Sequence, residues 1–186
     1  GVIASSYDKV HLVPFGEYMP FAAFLESLGV DAVARPGGFS AAREQQLLTA
    51  HGKGLYPLIC YEAIFPSEIT GSADTATALL NVTNDAWFGK TPGPYQHFQQ
   101  ARLRAVERGL PLIRAANNGI SAVVDAKGRV VKGLAHDVSG FVDATVPGRF
   151  EADERAKRLN WLFLVILGVL SAAVAISRIG FRNRTN

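Results

Sequence analysis

Cys60 is the single cysteine in 186 residues, and it stands where the apolar run of "GLYPLICYEAIFP" (54 to 66) ends. A thiol attacks as the thiolate, and a free thiol titrates near about 8.5, so a nucleophilic cysteine wants a cation beside it. One ammonium at roughly 4 Å in a partly shielded site contributes about 4 kcal/mol. That is on the order of a thousandfold in thiolate population. The stretch "YDKVHLVPFGEYMP" (7 to 20) offers such a cation in Lys9, with Glu17 after the turn-forming "PFG", and Glu62 follows Cys60 by two positions. Acyl transfer also needs a general acid or base. Taken singly, each residue has an ordinary reading. Cys60 suits a small core position, Lys9 a solvated strand edge, and Glu17 a surface carboxylate. From these residues alone, core thiol and strand-tip nucleophile both stand.

The elements that must position them follow from patterning. "VIAS" and "KVHLV" read as strands, and "PFAAFLESLGV" (20 to 30) as a short helix with Pro20 at its start. Residues 34 to 45 form a Gly/Pro loop. "LYPLI" (55 to 59) and "ATALLNVT" (76 to 83) read as buried strands separated by "AIFPSEITGSA", a short helix or irregular turn. "NDAWFGKTPGP" (84 to 94) is a loop, with Asn84 and Asp85 as turn formers. "YQHFQQARLRAVERG" (95 to 109) is the best soluble helix, with Tyr95, Phe98, Ala101, Arg102 and Ala105 near one face and Gly109 as its stop. "LPLIRAA", a hairpin around Ala126, Lys127 and Gly128, and "GFVDATVP" supply further strands. His11 reads as a strand residue and His97 as a helix-face residue. Arg102, Arg104 and Arg108 read as a solvated or internally paired helix face. Arg114, in an apolar strand, reads as half of a buried ion pair. Strands alternating with helices early and hairpins late predict a mixed α/β layered architecture.

Bulk composition narrows the function classes. A net charge of +3 with scattered Lys and Arg gives nucleic-acid binding little support. One cysteine excludes an intrachain disulfide and any CxxC metal or redox site. No metal or cofactor is expected. The chain opens at Gly1 without Met, which reads as a fragment with its upstream part missing. Leu159 to Ser177 carries no charge over 19 residues. At 1.5 Å per residue that is roughly 28 Å, close to a bilayer core. Trp161 sits at one boundary, and Arg155, Lys157, Arg158, Arg178, Arg182 and Arg184 flank the run. The expected organisation is therefore a domain over 1–150, a charged linker over 151–158, a transmembrane helix over 159–177 and a basic tail over 178–186.

"YDKVHLVPFGE", "LICYE" and "NVTNDAWFG" occur in the order and spacing of the carbon–nitrogen hydrolase (nitrilase) superfamily. With "PYQHFQQARLRAVERGLPLIRAANNGIS" and the terminal apolar helix, nearly the entire chain resembles that superfamily's membrane-bound apolipoprotein N-acyltransferase branch. The resemblance implies a partial αββα sandwich followed by one C-terminal transmembrane helix, with a Glu–Lys–Cys triad. Cys60 matches the nucleophile and Lys9 the lysine that stabilises thiolate and oxyanion. The backbone N–H of Tyr61 matches the second oxyanion donor. Glu17 matches the additional glutamate beside the lysine, and Glu62 the glutamate after the nucleophile. Trp87 and Phe88 match an aromatic pair beside the site, where a lipid chain could pack. The triad glutamate lies upstream of the lysine in this family, and residues 1 to 8 contain no Glu.

The function implied is transfer of a fatty acyl group from a phospholipid, through a Cys60 thioester, to the N-terminal amine of a lipoprotein. The partners implied are a phospholipid donor, an apolipoprotein acceptor and the membrane. The place implied is the bacterial inner membrane, with the catalytic domain on its periplasmic face. Two other readings remain: a membrane-anchored amidohydrolase, and a non-catalytic binding module lacking the triad glutamate. The chain alone is expected to be inactive for the same reason.

Overall fold

The computed structural model describes residues 1–21, 24, 27–28, 39–150 and 161–174. The chain divides into two compact units, Gly1–Phe150 and Glu151–Asn186. Among the described residues of the first unit, six strands form one mixed sheet: β1 (Leu48–Ala50), β2 (Lys53–Ile59), β3 (Ala78–Asn84), β4 (Leu112–Asn117), β5 (Ser121–Val124) and β6 (Val130–Leu134). Their order across the sheet follows the chain. β2, β3 and β4 are parallel, and the outer pairs are antiparallel. Parallel neighbours need crossovers. Short 3-10 helices connect β2 to β3, and the helix α1 (Gly93–Arg108) connects β3 to β4.

Register explains the core. Tyr56, Leu79, Leu112 and Val124 are paired in a row across four strands, and all are fully buried. Side chains two residues further along share that face. The next row is Leu58, Asn81, Arg114 and Ala122, so two polar residues are drawn into the same interior. Phe98, Ala101 and Ala105 of α1 belong to this core. Tyr95 and Arg102, expected on the same helix face, do not join it; Tyr95 is exposed. α1 ends as expected at Gly109, whose φ of 61° is the left-handed C-terminal cap. Phe150 donates its N–H to the Gly109 carbonyl. The intervening positions Leu80, Val82 and Ile113 point to the opposite face and are less buried, with Val82 41% exposed.

Three expected strands are corrected. "VIAS" and "KVHLV" are irregular, and Pro14 with Tyr18 forms only an isolated bridge. The N–H groups of Val10 and His11, which a ladder would use, go instead to the Glu62 carboxylate. "GFVDATVP" is likewise without regular structure. Most of the helix expected over 20–30 lies outside the described residues, although Phe24 and Ser27 are helical. Of the expected loop over 34–45, residues 34–38 lie outside them too. In the second unit, residues 161–174 form a helix. Among the described residues no helix is long and apolar enough to cross a membrane. The ends of the expected span, 159–160 and 175–177, lie outside the described residues, as do the expected linker over 151–158 and the tail over 178–186.

Candidate active site

Cys60 leaves β2 at its C-terminal end and starts a 3-10 helix, Cys60–Ile64. Its φ is +52°, a conformation that non-glycine residues rarely adopt. Such strain persists only where surrounding contacts over-determine it. Tyr61 is the second residue of the 3-10 helix, so its N–H has no intrahelical acceptor and is available to another oxygen. The C-terminal ends of β3 and β4 lie beside this turn, the edge of a parallel sheet where ligands bind in open α/β folds.

Glu62 clasps the segment that carries Lys9. One carboxylate oxygen accepts from Val10 N at 2.8 Å and His11 N at 3.0 Å; the other accepts from Ile59 N at 2.6 Å. Tyr7 Oη lies 3.1 Å from both oxygens and 2.6 Å from Gln45 Oε1, and Gln45 donates to the Pro57 carbonyl. Burial, together with the charge and hydrogen bonding of Glu62, raises the Tyr7 phenol above its ordinary value. Lys9, itself buried, places Nζ 2.7 Å from both oxygens of Glu17, which also accepts from Val13 N. The structure thus joins Lys9 to Glu17, and joins the neighbours of Lys9 to Glu62. No hydrogen bond links Lys9 directly to Cys60 among the described residues. His11, away from any strand, packs its ring at a tilt against Phe65, 4.3 Å between centroids, and lies 3.3 Å from Glu68.

On the interior side lies a second cluster. Asp85 is buried, accepting from Arg114 Nη2 and Thr83 Oγ1 and facing His97 Nδ1 at 2.8 Å. Burial pushes its carboxyl up, but the His97 hydrogen bond and the Arg114 charge outweigh it and hold Asp85 below the ordinary carboxylate value. Burial lowers Arg114, which the Asp85 charge partly offsets. Arg114 Nη1 donates to Asn81 Oδ1. Asp85 is therefore an ion-pair member and no simple turn former; Asn84 is the turn former, capping Ala86 N. Arg114 is the buried ion-pair half that its apolar strand suggested. Arg104 is buried as well, bonded to the Ile64 carbonyl and Glu107. Arg102 donates to the Gly128 carbonyl and Arg108 to that of Pro66, so this helix face is internally paired.

The expected aromatic pair divides. Trp87 is 81% exposed, whereas the Phe88 ring lies 5.8 Å from that of His97. Phe88 lines an open cavity of about 310 Å³ with Tyr61, Ile64, Gln96, His97 and Gln100. Among the described residues no group of three or more His, Cys, Asp or Glu could hold a metal ion.

A family model described as carbon-nitrogen hydrolase matches residues 1–153. The chain belongs to the carbon–nitrogen hydrolase family. Within it, apolipoprotein N-acyltransferases of Rhizobium rhizogenes and Rhizobium meliloti are 56% and 53% identical over 191 and 189 residues. These matches take in 100% of this chain but only 35% and 36% of the relatives, so the chain spans roughly a third of their length. Among solved structures, an amidase from Nesterenkonia sp. has a TM-score of 0.50 at 26% identity, covering 72% of this chain and 46% of that one. A cysteine-to-alanine mutant of the Nesterenkonia AN1 amidase from the nitrilase superfamily has a TM-score of 0.50 at 25% identity, over 72% and 47%.

Motif reading named Cys60, Lys9, Glu17 and Glu62 as candidates, and the structure brings Glu17 onto Lys9 and Glu62 onto the segment that carries it; it did not single out Tyr7, Gln45 or Asn81, nor the way Asp85 and His97 join Arg114. One signal was available: Asn81 interrupts the apolar strand "ALLNVT" as Arg114 interrupts "LPLIRAA". Two polar interruptions at paired strand positions point to each other only when the register is known.

Proposed function

We propose that this chain carries the nucleophile and lysine of an apolipoprotein N-acyltransferase. The observation that bears most weight is the match of the whole chain, at more than half identity, to proteins of that name, with Cys60 set at a strand tip. The Cys60 thiolate attacks the ester carbonyl carbon of a phospholipid, forming a C–S bond. Charge collects on the carbonyl oxygen, where the Lys9 ammonium and the Tyr61 N–H stabilise it. The C–O bond breaks, and the lysophospholipid leaves as an alcohol, taking the proton that a base had removed from the Cys60 thiol. The amine of the lipoprotein then attacks the thioester; a C–N bond forms, the C–S bond breaks, and the amine proton passes to a base. The resemblance assigns that base to a glutamate N-terminal to the lysine. Glu17 holds the Lys9 ammonium in place, and Glu62 holds the lysine segment on the nucleophile turn. Phe88 and the cavity beside Tyr61 receive the acyl chain, with Trp87 at the solvent edge.

The same reading makes the sheet one half of an αββα sandwich, with the half-covered face of Leu80, Val82 and Ile113 against the second sheet. Residues 1–150 are then the catalytic part, 151–158 the linker, 159–177 the inner-membrane span and 178–186 the basic tail, with the catalytic part periplasmic. Supporting the span, residues 161–174 carry apolar side chains on every side of the helix, the pattern of a helix surrounded by lipid or protein core.

The test uses the full-length protein mixed with phospholipid vesicles. Mass spectrometry of the Cys60 peptide should gain one fatty acyl group, released by neutral hydroxylamine, and Cys60→Ala should gain none. An unacylated Cys60 under every condition sinks the proposal. The amidase likeness favours a second reading, hydrolysis with water as acceptor; acyl transfer to a lipopeptide amine decides against it, whereas release of free fatty acid alone decides for it.

A further inference from the structure

We infer that His97 and Asn81 are positioning residues: their side-chain N–H groups grip the Cys60 carbonyl oxygen and hold Cys60 in its left-handed conformation. The inference rests on Cys60 being the nucleophile. His97 Nε2 lies 3.2 Å from that oxygen and Asn81 Nδ2 3.4 Å, with Asn81 Nδ2 also 2.7 Å from the Leu58 carbonyl. A carbonyl oxygen only accepts, so both nitrogens reach it as donors. Neither side chain knows its own orientation. An amide can turn end for end, and an imidazole can present either nitrogen. Here each is oriented by a charged partner. Arg114 has only donors, and by bonding Asn81 Oδ1 it leaves Nδ2 to face the turn. Asp85, which as a carboxylate only accepts, takes the His97 Nδ1–H; with Nε2–H given to Cys60 the ring carries both protons, as an imidazolium paired with that carboxylate. Arg114 and Asp85 in turn bond each other, and Arg114 Nε is tied to the Ile120 carbonyl.

All four side chains are at most 3% exposed, so water does not compete for these bonds. Both polar side chains of the row end at the same carbonyl, Asn81 directly and Arg114 through Asn81. A filler for the core would be apolar; a buried ion pair is weak support for stability, and its attested use is specificity of arrangement. At Cys60 the arrangement specified is a positive φ in a non-glycine residue. Released from the grip, the peptide relaxes toward ordinary extended values and the thiol turns away from the sheet edge.

The experiment reads Cys60 in the full-length protein two ways: alkylation by iodoacetamide, followed on the Cys60 peptide, and single-turnover thioester formation from phospholipid vesicles. The variants are His97→Phe, His97→Gln, Asn81→Leu and Asn81→Asp, each with its melting temperature. His97→Phe and Asn81→Leu should slow both reactions about 10- to 100-fold, the scale of loss for roughly 1 Å of misplacement. The loss should fall on the rate at saturating donor; for the Asn81 variants, outside the cavity beside Tyr61, half-saturation should be unchanged. His97→Gln, which can still donate, should recover most of the rate. Asn81→Asp keeps volume and the acceptor for Arg114 but loses the donor, so it should be slow while remaining folded. Folded His97→Phe and Asn81→Asp proteins that alkylate at the wild-type rate overturn the inference. If alkylation slows but wild-type protein forms no thioester, positioning stands and the acyltransferase reading falls.

Discussion

Glu62 and Asp85 are both buried carboxylates bonded to the surroundings of Cys60, and they are compensated by opposite means. Glu62 is met by neutral donors: three backbone N–H groups and a phenol. Asp85 is met by the Arg114 guanidinium and an imidazole. The first arrangement ties an irregular segment to the turn, because backbone N–H groups without a ladder are spare. The second ties neighbouring strands and a helix together, because regular elements have no spare backbone groups and only side chains remain. The difference predicts opposite failures. A carboxylate among backbone donors loses a loop when it changes; a carboxylate facing a buried cation leaves that cation stranded.

The sharpest way to break the comparison is Asp85→Ala. It leaves Arg114 buried without its charge partner and should cost about 3–5 kcal/mol, read by denaturant unfolding. A loss near zero would show that Arg114 finds water or another anion. Next comes Glu62→Gln, in which the amide nitrogen must face a donor such as Ile59 N–H, at a cost of about 1–3 kcal/mol. Hydrogen exchange at Val10 and His11 should rise with it; unchanged exchange would mean that the clasp is not what holds the segment. Gly119→Ala acts on the Asp85 side by crowding, since its Cβ would collide with Asp85 Oδ2 and Ala116 Cβ. Overpacking of this kind costs about 1–3 kcal/mol, and Asp85→Asn should make the double variant less than additive.

Smaller and more telling is pH. Asp85 titrates lower folded than unfolded, so its contribution is present above about 4 and is lost as pH falls through the folded value. Tyr7 titrates higher folded than unfolded, so its contribution is full below about 10 and is lost as pH rises toward the folded value. Melting temperature against pH should therefore show an acid limb flattened by Asp85→Asn and an alkaline limb flattened by Tyr7→Phe. Exchange of those two assignments would refute the comparison. The smallest effect is Trp87→Ala: an exposed side chain outside both clusters should change stability by less than about 0.5 kcal/mol.

Local pattern was enough for β2, β3, α1 and its glycine stop, because apolar runs bounded by Gly and Pro leave few alternatives. It was also enough for Cys60, Lys9, Glu17 and Glu62 as candidates. It misled at "KVHLV", whose alternation suits a strand but whose N–H groups a distant carboxylate has taken. It misled at Asp85, where a residue type common in turns serves an ion pair.

What the sequence determined by itself is which residue types are present and which short stretches can be strand or helix, since these depend on neighbours within a few positions. The tertiary structure alone decided that Leu58, Asn81 and Arg114 share one row, that His97 reaches the Cys60 carbonyl, and that Glu62 holds the Lys9 segment. The reason is physical. Strand register and helix packing set which distant side chains meet, and a hydrogen bond exists only where distance and direction are both met.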